Sequence, residues 1–185
     1  EAGKDLTRED VVTLLSADGP EETKLLFEAA NRVREKCLGD EVHLRGIIEF
    51  SNHCERNCHY CGLRYGNSEL QRYRIEPEQI VEIARRATHL GYRTIVLQSG
   101  EDPWYTAETL AGVVRRLKDE LQVAVTVCVG DRSREDYEVW KEAGADRYLL
   151  KHETRDEKLF ARLRPGTRFE DRALRLGWLR ELGYQ

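Results

Sequence analysis

The sequence lacks the features of membrane, secreted and nucleic-acid-binding proteins. Its 185 residues contain no methionine and no apolar run near the roughly 18 residues that a membrane-spanning helix needs. No stretch with the pattern of a signal peptide opens the chain. Acidic residues slightly outnumber basic ones, 34 to 30, and no basic stripe stands out, which disfavours nucleic acid as a partner. We therefore expect a cytoplasmic protein whose partners include neither a membrane nor a nucleic acid.

Cysteine is scarce and unevenly placed. The five cysteines are Cys37, Cys54, Cys58, Cys61 and Cys128, and three of them fall within one short segment. An odd number with such clustering argues against a disulfide framework. It favours a metal site in a reducing compartment.

Hydrophobic periodicity predicts two helices followed by alternating strands and helices. Thr7 and Asp10 form a candidate capping box for a helix that ends near Ser16, and Pro20 opens a second helix that runs to Cys37. The strand candidates are His43–Phe50, Arg93–Gln98, Val123–Val129 and Arg147–Lys151. The later helix candidates are Pro77–Leu90, Ala107–Leu121, Arg134–Ala143 and Glu157–Leu182, the last interrupted at Pro165–Gly166.

This alternation indicates βαβ units around a parallel sheet. We predict the α/β class, with residues 1–40 as an N-terminal helical cover and residues 41–185 as the first four βα units of a TIM-like barrel. Four parallel strands cannot close a barrel, and the sequence stops soon after Gly183, where a fifth strand is expected. We therefore expect the chain to be the N-terminal half of a longer protein, or a fragment of it.

Residue alternation along the strands predicts a polar barrel interior. In the third strand the valines from Val123 to Val129 share one face, so Thr126 and Cys128 are expected to point inward. The same pattern turns further polar side chains inward, namely Arg45, Glu49, Ser51, Gln98, Lys151 and Glu153. Barrel interiors are ordinarily filled with branched apolar side chains. We therefore predict a cavity for a charged ligand, with Arg45, Gln98 and Thr126 among its lining residues.

The cysteine cluster follows the first strand directly. Cys54, Cys58 and Cys61 are spaced as Cys-x3-Cys-x2-Cys, which lets one loop wrap three thiolates around a metal cluster. Three ligands are one too few for a closed zinc site or a fully ligated four-iron cluster. The spacing therefore favours a 4Fe-4S cluster with one iron left open for an exogenous ligand.

Two other kinds of metal site remain open at this point. His53 or His59 could complete a zinc site, although His59 lies inside the last cysteine pair. Cys37 or Cys128 could supply the fourth thiolate of an electron-transfer cluster, although both positions are more typical of core residues.

The cysteine motif, with the aromatic Tyr60 before its last cysteine, resembles the radical S-adenosylmethionine (SAM) superfamily. The flanking segments are more specific and resemble the HydE family, the radical SAM maturases of FeFe-hydrogenase. These segments are His43–Asn52, Cys61–Arg64, Thr94–Pro103, Gly144–Thr154 and Leu163–Pro165. The resemblance covers the chain from about residue 40 to its end and implies two cofactors, a 4Fe-4S cluster and SAM.

The resemblance also implies roles for individual residues. The backbone of Ser99, Gly100 and Glu101 matches the element that receives the SAM ammonium group. Glu153 matches an acidic residue that contacts SAM, and Arg172 falls where an arginine for the methionyl carboxylate is expected. Two further matches are Tyr60, placed to contact the adenine, and Arg45, an inward arginine of an anion site.

The activity that the resemblance implies is reductive cleavage of SAM to the 5′-deoxyadenosyl radical. The radical is then expected to act on a small organometallic substrate, an iron–cysteine precursor with CO and cyanide, in assembly of the FeFe-hydrogenase diiron site. Expected partners are a reduced donor of the ferredoxin or flavodoxin type and the other hydrogenase maturases. Alternatives are a mutase resembling methylornithine synthase, a biotin-synthase-like enzyme, or a non-catalytic zinc or iron–sulfur module.

Overall fold

The helices and strands expected from periodicity are present in a computed structural model, which describes residues 5–185. The elements are α1 (Arg8–Leu15), α2 (Pro20–Leu38), β1 (Gly46–Ser51), α3 (Pro77–His89), β2 (Thr94–Ser99), α4 (Ala107–Leu121), β3 (Ala124–Cys128), α5 (Arg134–Glu142), β4 (Arg147–Tyr148), α6 (Glu157–Leu163) and α7 (Phe169–Glu181). They fall into two compact units, Glu1–His43 and Leu44–Gln185. Residues 1–4, part of the predicted helical cover, lie outside the described residues.

The first unit contains the two predicted helices. Thr7 and Asp10 form the expected capping box, in which each side chain accepts a hydrogen bond from the other residue's backbone N–H. Pro20 begins α2, where its missing N–H costs nothing. The role of this unit as a cover stays a prediction. Among residues 5–185, no helix is both long and apolar enough to cross a membrane.

The second unit is built on a four-stranded parallel sheet in the order β1-β2-β3-β4. This confirms the predicted α/β class and the succession of four βα units. The face predicted for the third strand is also correct, because Val123, Val125, Val127 and Val129 are all at most 1% exposed. They lie in one core with buried side chains of α3, α4 and α5, such as Trp140.

Three strands are shorter than predicted. β3 spans Ala124–Cys128 rather than Val123–Val129, one residue less at each end. β1 begins at Gly46 rather than His43, because its pairing with β2 starts at Gly46 opposite Ile95. β4 ends at Tyr148 rather than Lys151, although the Leu149 N–H still donates to β3. Beyond that point the Lys151 carbonyl accepts from the Arg172 side chain at 2.8 Å, so a side chain replaces the ladder partner.

The final helical stretch is broken where the sequence predicts. α6 ends at Leu163 and α7 begins at Phe169, with Pro165–Gly166 between them. Proline lacks the N–H that a continuing helix needs, and Gly166 adopts a φ of +77°, which suits glycine. The break turns Arg164 out of the helix toward the ends of the strands.

Asp146 gives the sheet a pH-dependent support that can be tested. Its carboxylate accepts from the Val125 N–H at 2.7 Å and pairs with Lys118 at 3.0 Å. Burial alone would raise the pKa of Asp146, but these hydrogen bonds and the nearby charge of Lys118 hold it below its usual value. Because the folded-state pKa is the lower one, the stabilisation is complete above the unfolded-state pKa and is lost as the pH falls through the folded-state pKa.

We expect Asp146→Asn to lower the free energy of unfolding by about 1 kcal/mol at neutral pH. The difference from the wild type should shrink below about pH 4, where the carboxyl becomes protonated. Urea denaturation across the pH range measures both effects, with Asp119→Asn, an exposed carboxylate on α4, as the matched control. A difference that stays constant down to acid pH would contradict the assignment.

Candidate active site

An open cleft lies at the carboxyl ends of the strands, where active sites of β/α barrels are found. All three clustered cysteines line it. So do most of the other predicted site residues, namely Tyr60, Gln98, Ser99, Gly100, Glu101, Glu153 and Arg172. The fold therefore gathers residues that are more than a hundred positions apart in the sequence.

The cysteine loop leaves β1 and places three free thiols on the cleft wall. Cys58 is buried, while Cys54 and Cys61 are partly exposed. The Cys54 sulfur accepts from two backbone N–H groups, those of Arg56 and Glu101, each at 3.4 Å. Burial raises the pKa of the Cys54 and Cys58 thiols. Metal ligation requires the thiolate form, so metal binding at these cysteines releases protons.

Gly100 lets the loop after β2 lie directly against the cysteine loop. A Cβ atom at this position would stand 2.2 Å from the His53 carbonyl oxygen and 2.7 Å from the Cys54 Cβ. The contact is held by hydrogen bonds from the Gly100 N–H to the Ser51 carbonyl and from the Glu55 N–H to the Glu101 carbonyl. Only glycine permits this approach, which places the backbone of residues 99–101 beside the cysteines.

Glu101 turns its carboxylate back into the protein rather than toward solvent. It accepts from Arg56 at 2.5 Å and from Arg164 at 3.0 Å, and its side chain is 7% exposed. Gly130 makes room for it, because a Cβ there would lie 2.1 Å from the Glu101 Cγ. Gly130, in the loop after β3, is thus required by the side chain of Glu101, in the loop after β2.

The loop after β2 is braced by a second buried carboxylate. Asp102 accepts two hydrogen bonds from Arg74, at 2.7 and 2.9 Å, and one from the Ser51 hydroxyl at 2.7 Å. Burial would raise the pKa of Asp102, but these bonds and that from the Trp104 N–H keep it below its usual value. Its contacts are those of a residue that shapes the loop.

Glu153 occupies a strained position at the end of the fourth strand segment. Its φ is +68°, and the Thr154 N–H donates to the His152 carbonyl at 3.0 Å, so the chain makes a tight γ-turn. The carboxylate accepts from the Tyr60 hydroxyl at 2.5 Å. Burial and this bond raise the pKa of Tyr60, which keeps the hydroxyl a donor. Such strain at a non-glycine residue is typical of functional sites.

Arg172 lies inside the protein, although its helix reads from sequence as a surface element. It is 2% exposed, and it donates to the Lys151 carbonyl at 2.8 Å and to Asp131 at 3.2 Å. Within residues 5–185, its buried Nε has no hydrogen-bond partner, and the same is true of Arg164. Two unpaired cationic donors beside a cleft are suited to a ligand carboxylate.

A comparison with protein families identifies the family to which this chain belongs. The model of the radical SAM superfamily matches residues 48–185. The chain belongs to the radical SAM superfamily. Membership implies the two predicted cofactors, a 4Fe-4S cluster and SAM.

Individual relatives are similar over nearly the whole chain. The FeFe-hydrogenase maturase subunit HydE of Thermotoga maritima is 52% identical over 182 residues, which are 98% of this chain and 52% of the relative. The 3-methylornithine synthase of Methanosarcina acetivorans is 32% identical, with 98% and 52% covered. The chain thus spans about half the length of these curated relatives.

Solved structures of radical SAM enzymes share the fold. A methylornithine synthase, PylB, superposes with a TM-score of 0.88 at 31% identity, covering 98% of this chain and 54% of that one. The maturase HydG of Carboxydothermus hydrogenoformans gives a TM-score of 0.87 at 26% identity, with 96% and 43% covered. These neighbours confirm the predicted partial TIM-like barrel.

The residues present suit both cofactors of the superfamily. In the described part of the chain, no three Cys, His, Asp or Glu side chains converge on a single ion. A four-iron cluster presents separate irons to separate thiolates, so its ligands need not converge. Cys54, Cys58 and Cys61 would hold the cluster, and the guanidinium groups of Arg164 and Arg172, which line the same cleft, have the charge that a carboxylate of SAM would need.

The three residues predicted for the substrate cavity differ in position. Gln98 lines the cleft and donates to Glu49 at 3.0 Å. Thr126 is buried one layer deeper, in register with Val96 and Arg147, and does not line the cleft. Arg45 is exposed and lies just before β1, at the opposite end of the strand from the cysteines. The structure therefore brings only Gln98 to the cleft, and all three roles stay predictions.

Two charged residues of the site were missed in the sequence. Arg164 and Asp131 are both buried and connect the side chains assigned from the resemblance. The Leu163-Arg164-Pro165 segment was part of the resemblance, and that was the available signal for Arg164. Asp131 follows a strand and a glycine without any motif of its own.

Gly100→Ala tests the close approach of the two loops. We expect it to lower the free energy of unfolding by about 2–3 kcal/mol and to reduce the iron bound after reconstitution, because the new methyl group must displace the His53 carbonyl and Cys54. Thermal denaturation and iron analysis measure the two effects. Gly112→Ala on α4 is the control, since its Cβ would meet nothing within 4 Å. Equal behaviour of the two variants would refute the role of Gly100.

Proposed function

We propose that this chain carries the SAM-binding half of a HydE-type enzyme, which assembles the diiron site of FeFe-hydrogenase. The observation that carries the proposal is the cleft, which is lined by three thiols, the loop at Gly100 and two buried arginines, Arg164 and Arg172. The 52% identity to a HydE subunit supports this activity over others of the superfamily.

Each protein group then has a definite task. Cys54, Cys58 and Cys61 hold the cluster through three of its irons. When bound, the reduced cluster supplies the electron that cleaves SAM to methionine and the 5′-deoxyadenosyl radical. The backbone of residues 99–101 receives the ammonium group of SAM, and Arg172 receives its carboxylate. Glu153 and Tyr60, joined by their hydrogen bond, border the nucleoside end of the site.

The substrate proposed is a small anionic organometallic complex, an iron–cysteine compound that carries CO and cyanide. Polar side chains on the inner face support a charged ligand, since Gln98 and Glu49 line the cleft with Lys151. We further propose that a reduced ferredoxin or flavodoxin supplies the electron and that the other hydrogenase maturases supply and consume the iron complex. Of the three residues expected at the substrate cavity, Gln98 is proposed to border the substrate, since it lines the cleft.

A second candidate function is a carbon-skeleton mutase of the methylornithine synthase kind. The observations that favour it are the TM-score of 0.88 to PylB and the 32% identity to 3-methylornithine synthase. Incubation with candidate amino-acid substrates and, separately, with the iron–cysteine complex distinguishes the two. Formation of methylornithine would support the mutase, whereas SAM cleavage stimulated only by the iron complex would support the maturase.

Cysteine substitution tests the cluster directly. Anaerobically reconstituted protein should bind about four irons and release 5′-deoxyadenosine from SAM in the presence of dithionite. Cys58→Ser should bind less iron and release no deoxyadenosine, because a hydroxyl is a poor ligand for the iron of such a cluster. Cys37→Ser, at an exposed position on α2, is the matched control and should match the wild type. Absence of deoxyadenosine from the iron-loaded wild type would end the enzymatic proposal.

A further inference from the structure

Arg164 is the buried cation to which three carboxylates of the site converge. Its side chain is 7% exposed and lies 3.0 Å from Glu101, 3.3 Å from Asp131 and 3.6 Å from Glu153. These partners come from the loops after β2, β3 and β4, so one guanidinium ties three strand ends together. Among the described residues, Arg56 and Arg172 each pair with only one of these carboxylates.

The backbone fixes Arg164 beside the cysteine loop. The carbonyl of Leu163 accepts from the His59 N–H at 2.9 Å, and His59 follows Cys58 directly. The Arg164 carbonyl accepts from both the N–H and the hydroxyl of Thr167, at 3.2 and 2.8 Å. Arg164 and Cys58 also line the same cleft. The guanidinium is therefore anchored next to a cluster ligand and cannot swing into solvent without breaking these contacts.

The carboxylates of Glu101, Asp131 and Glu153 face four arginines, at positions 56, 164, 172 and 175. Among the described residues, Arg164 is the one arginine that pairs with Glu153. Loss of the Arg164 charge would therefore leave an excess of negative charge at Glu153, close to the cysteine loop. In a partly buried site such an excess is weakly screened, because the effective dielectric constant is low.

A nearby positive charge should raise the reduction potential of an iron–sulfur cluster. Reduction adds one negative charge to the cluster and its thiolates. Local charge, solvent exposure and hydrogen bonds to sulfur set the potential at which this happens. A buried cation beside Cys58 therefore favours the reduced form.

We propose that Arg164 is a positioning residue that fixes Glu101 and Glu153 around the SAM site, and that its buried charge makes the cluster easier to reduce. The inference rests on the proposed function in assuming a cluster at the three cysteines and a SAM site beside it. It assigns to Arg164 two effects that different substitutions can distinguish. The charge acts on the cluster, and the forked donors act on the carboxylates.

The test measures the midpoint potential of the reconstituted protein by redox titration with EPR detection, together with SAM affinity from the spectral change on SAM addition. Arg164→Gln removes the charge. At a fixed potential we expect the ratio of reduced to oxidised cluster to fall about tenfold or more, which corresponds to about 59 mV for one electron. Arg164→Lys keeps the charge, so its potential should stay near that of the wild type. Its SAM affinity should fall, because one ammonium cannot serve three carboxylates.

Two further variants separate local charge from general disturbance. Asp131→Asn removes a negative charge from the same network and should shift the potential upward, opposite to Arg164→Gln. Arg162→Gln removes an exposed charge two residues earlier, on α6, and should leave both quantities unchanged. A loosened structure would not give shifts of opposite sign.

The proposal is overturned if Arg164→Gln keeps the wild-type potential. It is also overturned if the midpoint potential of Arg164→Lys falls as far as that of Arg164→Gln. If Arg164→Gln does not fold or load iron, Arg164→Lys and Asp131→Asn carry the test, and an unshifted Asp131→Asn overturns it. Neither readout requires turnover. A wild type that binds a cluster but cleaves no SAM would therefore refute the proposed function while leaving the result for Arg164 intact.

Discussion

The close contact between the ends of β1 and β2 is the constraint on which the site depends. Gly100 lies so near the His53 carbonyl and Cys54 that no side chain fits between them. The Cys54 sulfur and the Glu101 N–H are joined by a hydrogen bond in the same contact. One loop carries the cluster ligands and the other carries the proposed SAM contacts. The contact between the loops therefore fixes the two cofactor sites relative to each other. Neither loop can shift without moving the other.

Charge balance is the second constraint on the site. Buried ion pairs are in general weak sources of stability, because desolvation offsets much of their attraction. Here the pairs instead fix the direction of each carboxylate around the cleft. Glu153 is further held in a γ-turn at a positive φ, where an ordinary residue is strained. The arrangement is what preorganisation of a polar site requires, with side chains locked by their neighbours before the ligand arrives.

The sequence predicted those parts of the molecule that depend on local pattern. Helix and strand periodicity, the break at Pro165–Gly166 and the valine face of β3 all follow from residues close together in the chain. The cysteine motif is equally local. The ends of β1 and β4 were wrong by a few residues, because they depend on the length of a partner strand and on a hydrogen bond from Arg172.

Contacts between distant segments could not be predicted in the same way. Asp131, Arg164 and Arg172 meet only because the loop after β3, the end of α6 and α7 come together in the fold. Their spacing in the sequence gives no sign of the network. The inward direction of Thr126 followed from alternation, but its depth below the cleft depends on the register of four strands. Local pattern thus identifies the cofactor site, while the tertiary fold determines its electrostatics.

The most direct test of this account is the EPR spectrum of the reduced, anaerobically reconstituted protein, recorded with and without SAM. A cluster held by Cys54, Cys58 and Cys61 has one iron free for an external ligand. We predict that SAM changes the spectrum and that SAM labelled with ¹⁷O in its carboxylate adds a hyperfine coupling. A spectrum that saturating SAM leaves unchanged, with a fourth protein ligand on the cluster, would contradict the account.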